Sequence, residues 1–405
     1  MSGPAPPREA SPVSSFTVRL ADTAPDRGRL RVAVKDIIDM VGLTTTCGSR
    51  VLASTRAPAA ADAACLAGIR AEEAAGRVVI VGRTNLHELA FGVSGVNPWY
   101  GTPVNPLDPR LVPGGSSSGS AAAIGAGLAD VALGTDTGGS IRIPAACCGV
   151  VGLKTTTGRV SLAGVDPLGP SLDTVGPMGA TVDAVGRGMQ LLEPGFEWRD
   201  TPPATRIGRF RPRADPWIDR ALDARLAAWA AAAPGRSVVD LDLDHFDEAT
   251  EALGAILARE AWTVHAELWT RHASELSPDV ADRLEAASHL PDADFEAATR
   301  MRAQWSDGLA RVLGGVDLVA LPVLASAPPP LTDAARVSSI RYTGPFNLSG
   351  GPALALPVRS GRSGLPASLQ LVGPAGAEAM VLRSAAEIES LAPGPSPDAP
   401  AGERS

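Results

Sequence analysis

Short apolar runs separated by glycine-dense polar turns dominate the first half of this 405-residue chain. Residues 31–34, 78–81 and 129–133 are too short for helices and read as buried strands, each running into a polar loop. From about residue 190 to 315 the pattern changes. Residues 206–210 and 237–243 still read as strands, but the remainder is rich in Ala, Glu and Arg, with apolar residues at helical spacing. Leu253, Ile256, Leu257, Trp262, Val264 and Leu268 predict one long helix across 251–271. Strand texture returns at 317–321, 353–358 and 368–372, and a closing helix is predicted over 377–391. Strands at both ends of the chain imply an α/β fold with one discontinuous core, 28–391, rather than two domains, with a helix-rich excursion at about 190–315. Residues 1–27 and 392–405 are rich in Pro, Ser and Ala without periodicity, and are expected to be flexible tails.

Composition narrows the function classes. A formal net charge of −8 leaves no basic surplus to hold a phosphate backbone, so nucleic acid is a poor partner and small molecules a better one. No run approaches the roughly 20 apolar residues of a membrane span, and no basic segment followed by an apolar one opens the chain. No membrane contact and a cytoplasmic setting are expected. Cys47, Cys65, Cys147 and Cys148 form no CxxC pair and share no spacing with histidines, which argues against a metal site or a disulfide framework. Lysine occurs only at Lys35 and Lys154, so the 36 basic residues less these two leave 34 arginines. Arginine cannot lose its proton near neutrality, whereas a desolvated lysine can. Chance survival of one or both lysines stays open on this count.

Two glycine- and serine-rich segments carry the candidate chemistry. Pro113-Gly-Gly-Ser-Ser-Ser-Gly-Ser120 feeds directly into the small-residue run 121–128, placing exposed amides at a helix start. In Gly134-Thr-Asp-Thr-Gly-Gly-Ser140, Thr137, Gly138 and Gly139 offer successive backbone N–H groups with little bulk immediately before a serine. An oxyanion hole beside a nucleophile requires that arrangement. A phosphate-binding turn is the bland alternative, but the spacing G-x-x-x-x-G-K-[ST] and the dinucleotide fingerprint are both absent. A serine nucleophile needs a base. His245, His265, His272 and His289 lie in the helical excursion at ordinary packing or surface positions. His87, in Arg83-Thr-Asn-Leu-His-Glu88, stays open, but no G-x-S-x-G elbow supports a conventional triad. Lys35, closing the run Val32-Ala-Val-Lys-Asp36, is the remaining candidate.

Taken together, these segments resemble the amidase signature family of amide hydrolases, which use a Ser, cis-Ser, Lys triad. The match covers most of 30–185 and resumes at about 317–390. The family's V-K-D motif falls on Val34-Lys35-Asp36, the first serine of its G-G-S-S-G-G-S stretch on Ser116, and the end of G-T-D-x-G-G-S on Ser140, an interval of 140 − 116 = 24. Gly149-Val-Val-Gly-Leu-Lys154, Ser171-Leu-Asp-Thr-Val-Gly-Pro177 and Phe346-Asn-Leu-Ser-Gly350 also match, and give Lys154 a structural explanation. The resemblance implies a large mixed central β-sheet flanked by helices on both faces. It further implies that neutral Lys35 takes a proton from Ser116, held in a cis peptide with Gly115, and that Ser116 takes one from Ser140. Ser140 then attacks a small-molecule amide to form an acyl-enzyme, with the N–H groups of Thr137, Gly138, Gly139 and Ser140 itself stabilising the oxyanion, and ammonia or an amine leaves. No metal or cofactor is needed. Asp136 and Arg142 would hold the loop, with Ser117 in support, and Ala90, Phe91 and Trp99 would line the acyl pocket unless they are ordinary core.

Two departures stand out. Ser118-Gly119 replaces the usual Gly-Gly, a variant found in indole-3-acetamide hydrolase-like members. The chain is short and is expected to lack the N-terminal helices of longer relatives, so the resemblance leaves a homodimer open. The rival readings are the glutaminase subunit of a tRNA-dependent amidotransferase and an inactive amidase-like binding module. Inactive modules lose triad residues, whereas this chain keeps all three.

Overall fold

Among the described residues, eleven strands of four to seven residues form: β1 (Phe16–Arg19), β2 (Leu30–Lys35), β3 (Val78–Thr84), β4 (Val131–Asp136), β5 (Val151–Lys154), β6 (Thr174–Gly179), β7 (Arg206–Arg209), β8 (Ser237–Asp240), β9 (Leu318–Pro322), β10 (Ala353–Val358) and β11 (Ala367–Val372). They form one mixed sheet in the order β1-β3-β2-β4-β6-β5-β10-β11-β9-β7-β8. β2 pairs in parallel with β3 and β4, and β7 with β8 and β9, while the remaining pairings are antiparallel. This computed structural model describes residues 14–22, 24, 28–337, 340–359 and 364–391. The expected tail 392–405 and the first thirteen residues of the expected tail 1–27 lie outside the described residues.

Among the described residues, eleven α-helices accompany the sheet: α1 (Arg50–Thr55), α2 (Ala67–Ala74), α3 (Ser118–Gly125), α4 (Arg142–Cys148), α5 (Val182–Leu192), α6 (Pro216–Ala231), α7 (Phe246–His272), α8 (Pro278–Ser288), α9 (Asp292–Leu313), α10 (Pro345–Leu348) and α11 (Glu378–Ser390). Successive side chains of a strand point to opposite faces, and the core divides accordingly. Val32 and Val34 pack with Ile69 of α2 on one side, and Ala33 and Ala132 with Ala121, Ala123 and Ile124 of α3 on the other. At the far end Leu369 and Leu371 pack against Leu222 and Leu226 of α6 and Val381 of α11. The expectation of a large mixed sheet with helices on both faces is met. No helix among the described residues is long and apolar enough to cross a membrane.

The tail expected over 1–27 is corrected at residues 16–19. Phe16 is 8% exposed and β1 pairs antiparallel with β3, where Gly82 leaves room for the Phe16 ring. The four-residue run is too short to stand out from its Pro- and Ser-rich surroundings, and only β3 gives it a partner.

Candidate active site

Parallel pairing of β2 with β3 and β4 brings the carboxyl ends of three strands together, the usual place for a site in such sheets. Lys35 is the last residue of β2 and is fully buried. Its Nζ lies 2.7 Å from Ser116 Oγ and 2.7 Å from Thr135 Oγ1. Burial pushes its ammonium down to about 7, against the opposing charges of Asp136 and Asp173. Both partners are hydroxyls, which can donate to an amine lone pair as well as accept from its hydrogens. The neutral amine therefore loses no hydrogen bond.

Ser116 sits before α3, joined to Gly115 by a cis peptide, with its carbonyl accepting the His87 N–H at 3.1 Å. Ser117 secures the loop twice. Its N–H donates to the Ser140 carbonyl at 3.2 Å, and its hydroxyl bridges the Thr135 carbonyl at 3.2 Å and the Thr135 N–H at 3.3 Å. The two serine loops are thus tied side by side. Gly119 makes this approach possible: a Cβ there would strike the Ser15 carbonyl and lie within 2.5 Å of Asn85 N and 2.6 Å of Asn85 O.

Ser140 lies between β4 and α4, 5% exposed, and among the described residues its hydroxyl has no hydrogen-bond partner. The loop before it is held by a fully buried ion pair. Asp136 accepts from Arg142 Nη2 at 2.9 Å, Arg142 Nε at 3.0 Å, Asn347 Nδ2 at 2.9 Å and Ile141 N at 3.1 Å. Burial alone would raise the Asp136 carboxyl, but the Arg142 charge and these donors hold it well below the usual carboxylate range. Arg142 also donates to Asn347 Oδ1, Gln370 Oε1 and the Thr343 carbonyl at 2.6, 2.7 and 2.8 Å. The support expected of Asp136, Arg142 and Ser117 thus has a geometry.

The oxyanion donors need one correction. Gly139 donates its N–H to Asp136 Oδ1 at 2.8 Å, which takes it out of the expected set. Its φ of +133 and the Thr343 side chain packed against it explain why glycine stands there. The N–H groups of Thr137 and Gly138 have no partner among the described residues. Ala90 and Phe91 belong to the core cluster with Leu86 and Leu89, and no hydrogen bond joins them to 137–140 among the described residues. Trp99 is covered by the Arg50 guanidinium at 3.9 Å. His87 is turned elsewhere, with Nε2 2.8 Å from Asp279 Oδ2.

Thr343 and Gln370 are site residues outside every motif singled out in the sequence, while Thr135 and Asn347 lie within quoted motifs that gave them no role. Gln370 is the one with a signal, a fully buried polar residue interrupting the apolar strand β11. No group of three or more His, Cys, Asp or Glu side chains suited to a metal ion occurs among the described residues.

A profile described as Amidase matches residues 30–382. The chain is 34% identical over 398 residues to 2-amino-5-chloromuconic acid deaminase of Comamonas testosteroni, covering 91% of this chain and 84% of the relative. It is 35% identical over 421 residues to a glutamyl-tRNA(Gln) amidotransferase subunit of Chloroflexus aurantiacus, covering 90% and 84%. Among solved structures, that of an amidase superposes with a TM-score of 0.79 at 32% identity, covering 89% of this chain and 84% of the other. Two buried serines and a lysine on one hydrogen-bonded frame, and these likenesses, lead to one conclusion: the chain belongs to the amidase family of amide hydrolases.

Proposed function

We propose that the chain hydrolyses the carboxamide of a small molecule bearing an apolar acyl group, through an acyl-enzyme on Ser140. The contact of Lys35 with Ser116 at 2.7 Å carries this reading, because it couples a lysine able to be neutral near pH 7 to a hydroxyl beside the Ser140 loop. Lys35 takes the Ser116 proton, Ser116 takes that of Ser140, and Ser140 Oγ bonds to the amide carbon. The Thr137 and Gly138 N–H groups bind the oxyanion. As the C–N bond breaks, the same path returns a proton to the leaving nitrogen, and water then cleaves the ester. A single catalytic domain over 28–391 belongs to this reading, supported by the one sheet that both halves of the chain enter. So does a cytoplasmic setting, which suits the buried free thiols Cys47, Cys65, Cys147 and Cys148.

The helical excursion supports the substrate class. A Cβ on Gly138 would lie 3.4 Å from Leu253 Cδ2 of α7 and 3.6 Å from Ile340 Cγ2, so an apolar wall stands over the donors. One turn on, Leu257 Cδ1 and Glu260 Oε2 approach Gly169 at 3.2 and 3.5 Å from the equivalent point. The Glu260 and Asp173 carboxyls at this end disfavour a further carboxylate such as that of glutamine. Ammonia release from aliphatic, aryl and indolyl amides, with glutamine included, tests the reading. Turnover of apolar amides above glutamine is expected, falling by roughly 10³-fold or more in Ser140→Ala. Turnover of glutamine alone contradicts it and favours the amidotransferase role named in the Chloroflexus relative.

A further inference from the structure

Asp173 takes no part in the relay from Lys35 to Ser140, yet it is buried against the nucleophile loop, 6% exposed. Its carboxylate accepts the Thr137 hydroxyl at 2.6 Å and the N–H groups of Leu168 and Gly169 at 2.9 and 3.1 Å. The next residue, Thr174, donates its hydroxyl to the Asp136 carbonyl at 3.0 Å. Neighbouring side chains thus grip both sides of the peptide that joins Asp136 to Thr137. In a trans peptide C=O and N–H point in opposite directions. Anchoring the Asp136 carbonyl on Thr174 therefore turns the Thr137 N–H the other way, and Asp173 keeps the Thr137 side chain from rotating.

The grip continues outward. Ser171 donates its N–H to Glu260 Oε2 of α7 at 2.9 Å, and its hydroxyl and carbonyl accept from Arg302 of α9 at 2.8 and 3.0 Å. The turn 168–173 is a strut between the helical excursion and the loop that carries Ser140.

We propose that the Asp173 carboxylate, acting through Thr137, is a positioning residue that aims the Thr137 N–H at the oxyanion, and that the turn 168–173 ties this donor to the helical excursion. The inference rests on the acyl-enzyme reading above and adds to it a second ionisable requirement. Thr137 faces Asp173 from the nucleophile loop, Glu260 from α7 and Lys35 from β2. Burial pushes the Asp173 carboxyl up to about 6, with Glu260 adding to the rise and the three donors opposing it.

Kinetics of the best amide of the panel from pH 5 to 9, with fluorophosphonate labelling of Ser140, tests this. In the wild type, log kcat/KM should climb with unit slope between about 6 and 7, as Lys35 loses its proton. Below about 6 the slope should approach two, as Asp173 also takes up a proton. Asp173→Asn and Thr137→Val should lower kcat about 10- to 100-fold, less than the roughly 10²–10³ of a deleted donor. KM should move less than about threefold, since ground-state binding is not the target. Both variants should keep unit slope below pH 6, and Thr137→Ser, which retains the hydroxyl, should recover wild-type kcat. If Asp173→Asn does not fold, the two Thr137 variants decide. Active wild type with unchanged kcat in folded Thr137→Val, or a second-order limb that survives there, overturns the inference alone. A wild type that neither hydrolyses amides nor labels at Ser140 overturns the acyl-enzyme reading and the inference with it.

Discussion

Lys35 and Lys154 are both fully buried and both pushed down by burial to about 7, but their partners differ. Lys154 Nζ donates to the Thr155 and Gly351 carbonyls at 2.9 and 2.7 Å. Carbonyls only accept, so nothing there satisfies an amine lone pair, and Lys154 works as a peg. Lys154→Met leaves two buried carbonyls unpaired at about 1–3 kcal/mol each. A lower unfolding free energy by roughly that sum is expected in denaturant titration, with the activity inflexion near 7 unmoved. An inflexion displaced by that variant would make Lys154 part of the relay. The scarcity of lysine made both positions legible in the sequence. Thr135 received no role although it lies in the quoted Gly134–Ser140 segment, because a threonine hydroxyl carries no chemical mark until β4 sets it beside Lys35.

Among elements, the strands that could be read are those made of branched and aliphatic residues, such as β2, β3 and β10. The central strands β5 and β6 could not, because Gly152, Gly176 and Pro177 read as turn residues. Their reason is packing: a Cβ on Gly152 would lie 2.8 Å from Ile141 Cγ2 and 3.0 Å from Ala145 Cβ, and one on Gly176 would strike the Leu153 carbonyl. Pro177 pairs across to Leu133 of β4, and the β5 ladder reaches only Met178 and Gly179. The same closeness brings α3 onto the loop after β3. Gly119→Ala must push Asn85 and Ser15 apart, and a loss of about 1–3 kcal/mol is expected by thermal unfolding, with Ser140 labelling reduced. Wild-type stability in that variant would show that the approach is loose.

At the scale of the molecule, the catalytic half of the sheet was legible because its motifs are local, whereas the excursion gave only helical spacing. Its meaning depends on where α7 lands, with Leu253 against Gly138 of the loop before Ser140 and Leu257 against Gly169 of the adjoining turn. Leu257 joins two core clusters while remaining partly exposed, so its truncation should widen the acyl pocket without emptying a core. For Leu257→Ala, kcat/KM for an indolyl amide relative to acetamide should rise about tenfold, within the roughly 10- to 200-fold that such a pocket contact controls. An unchanged ratio would place the acyl group elsewhere.

The central claim is that Ser140 is the nucleophile and that neutral Lys35 activates it through Ser116. The rate at which a fluorophosphonate modifies the protein, followed by intact mass across pH and located by peptide mapping, tests it most directly. One adduct on Ser140 is predicted, forming faster as pH rises through about 7 and abolished in Lys35→Met. An adduct on another residue, or a Ser140 rate that is independent of pH and survives in Lys35→Met, would contradict it.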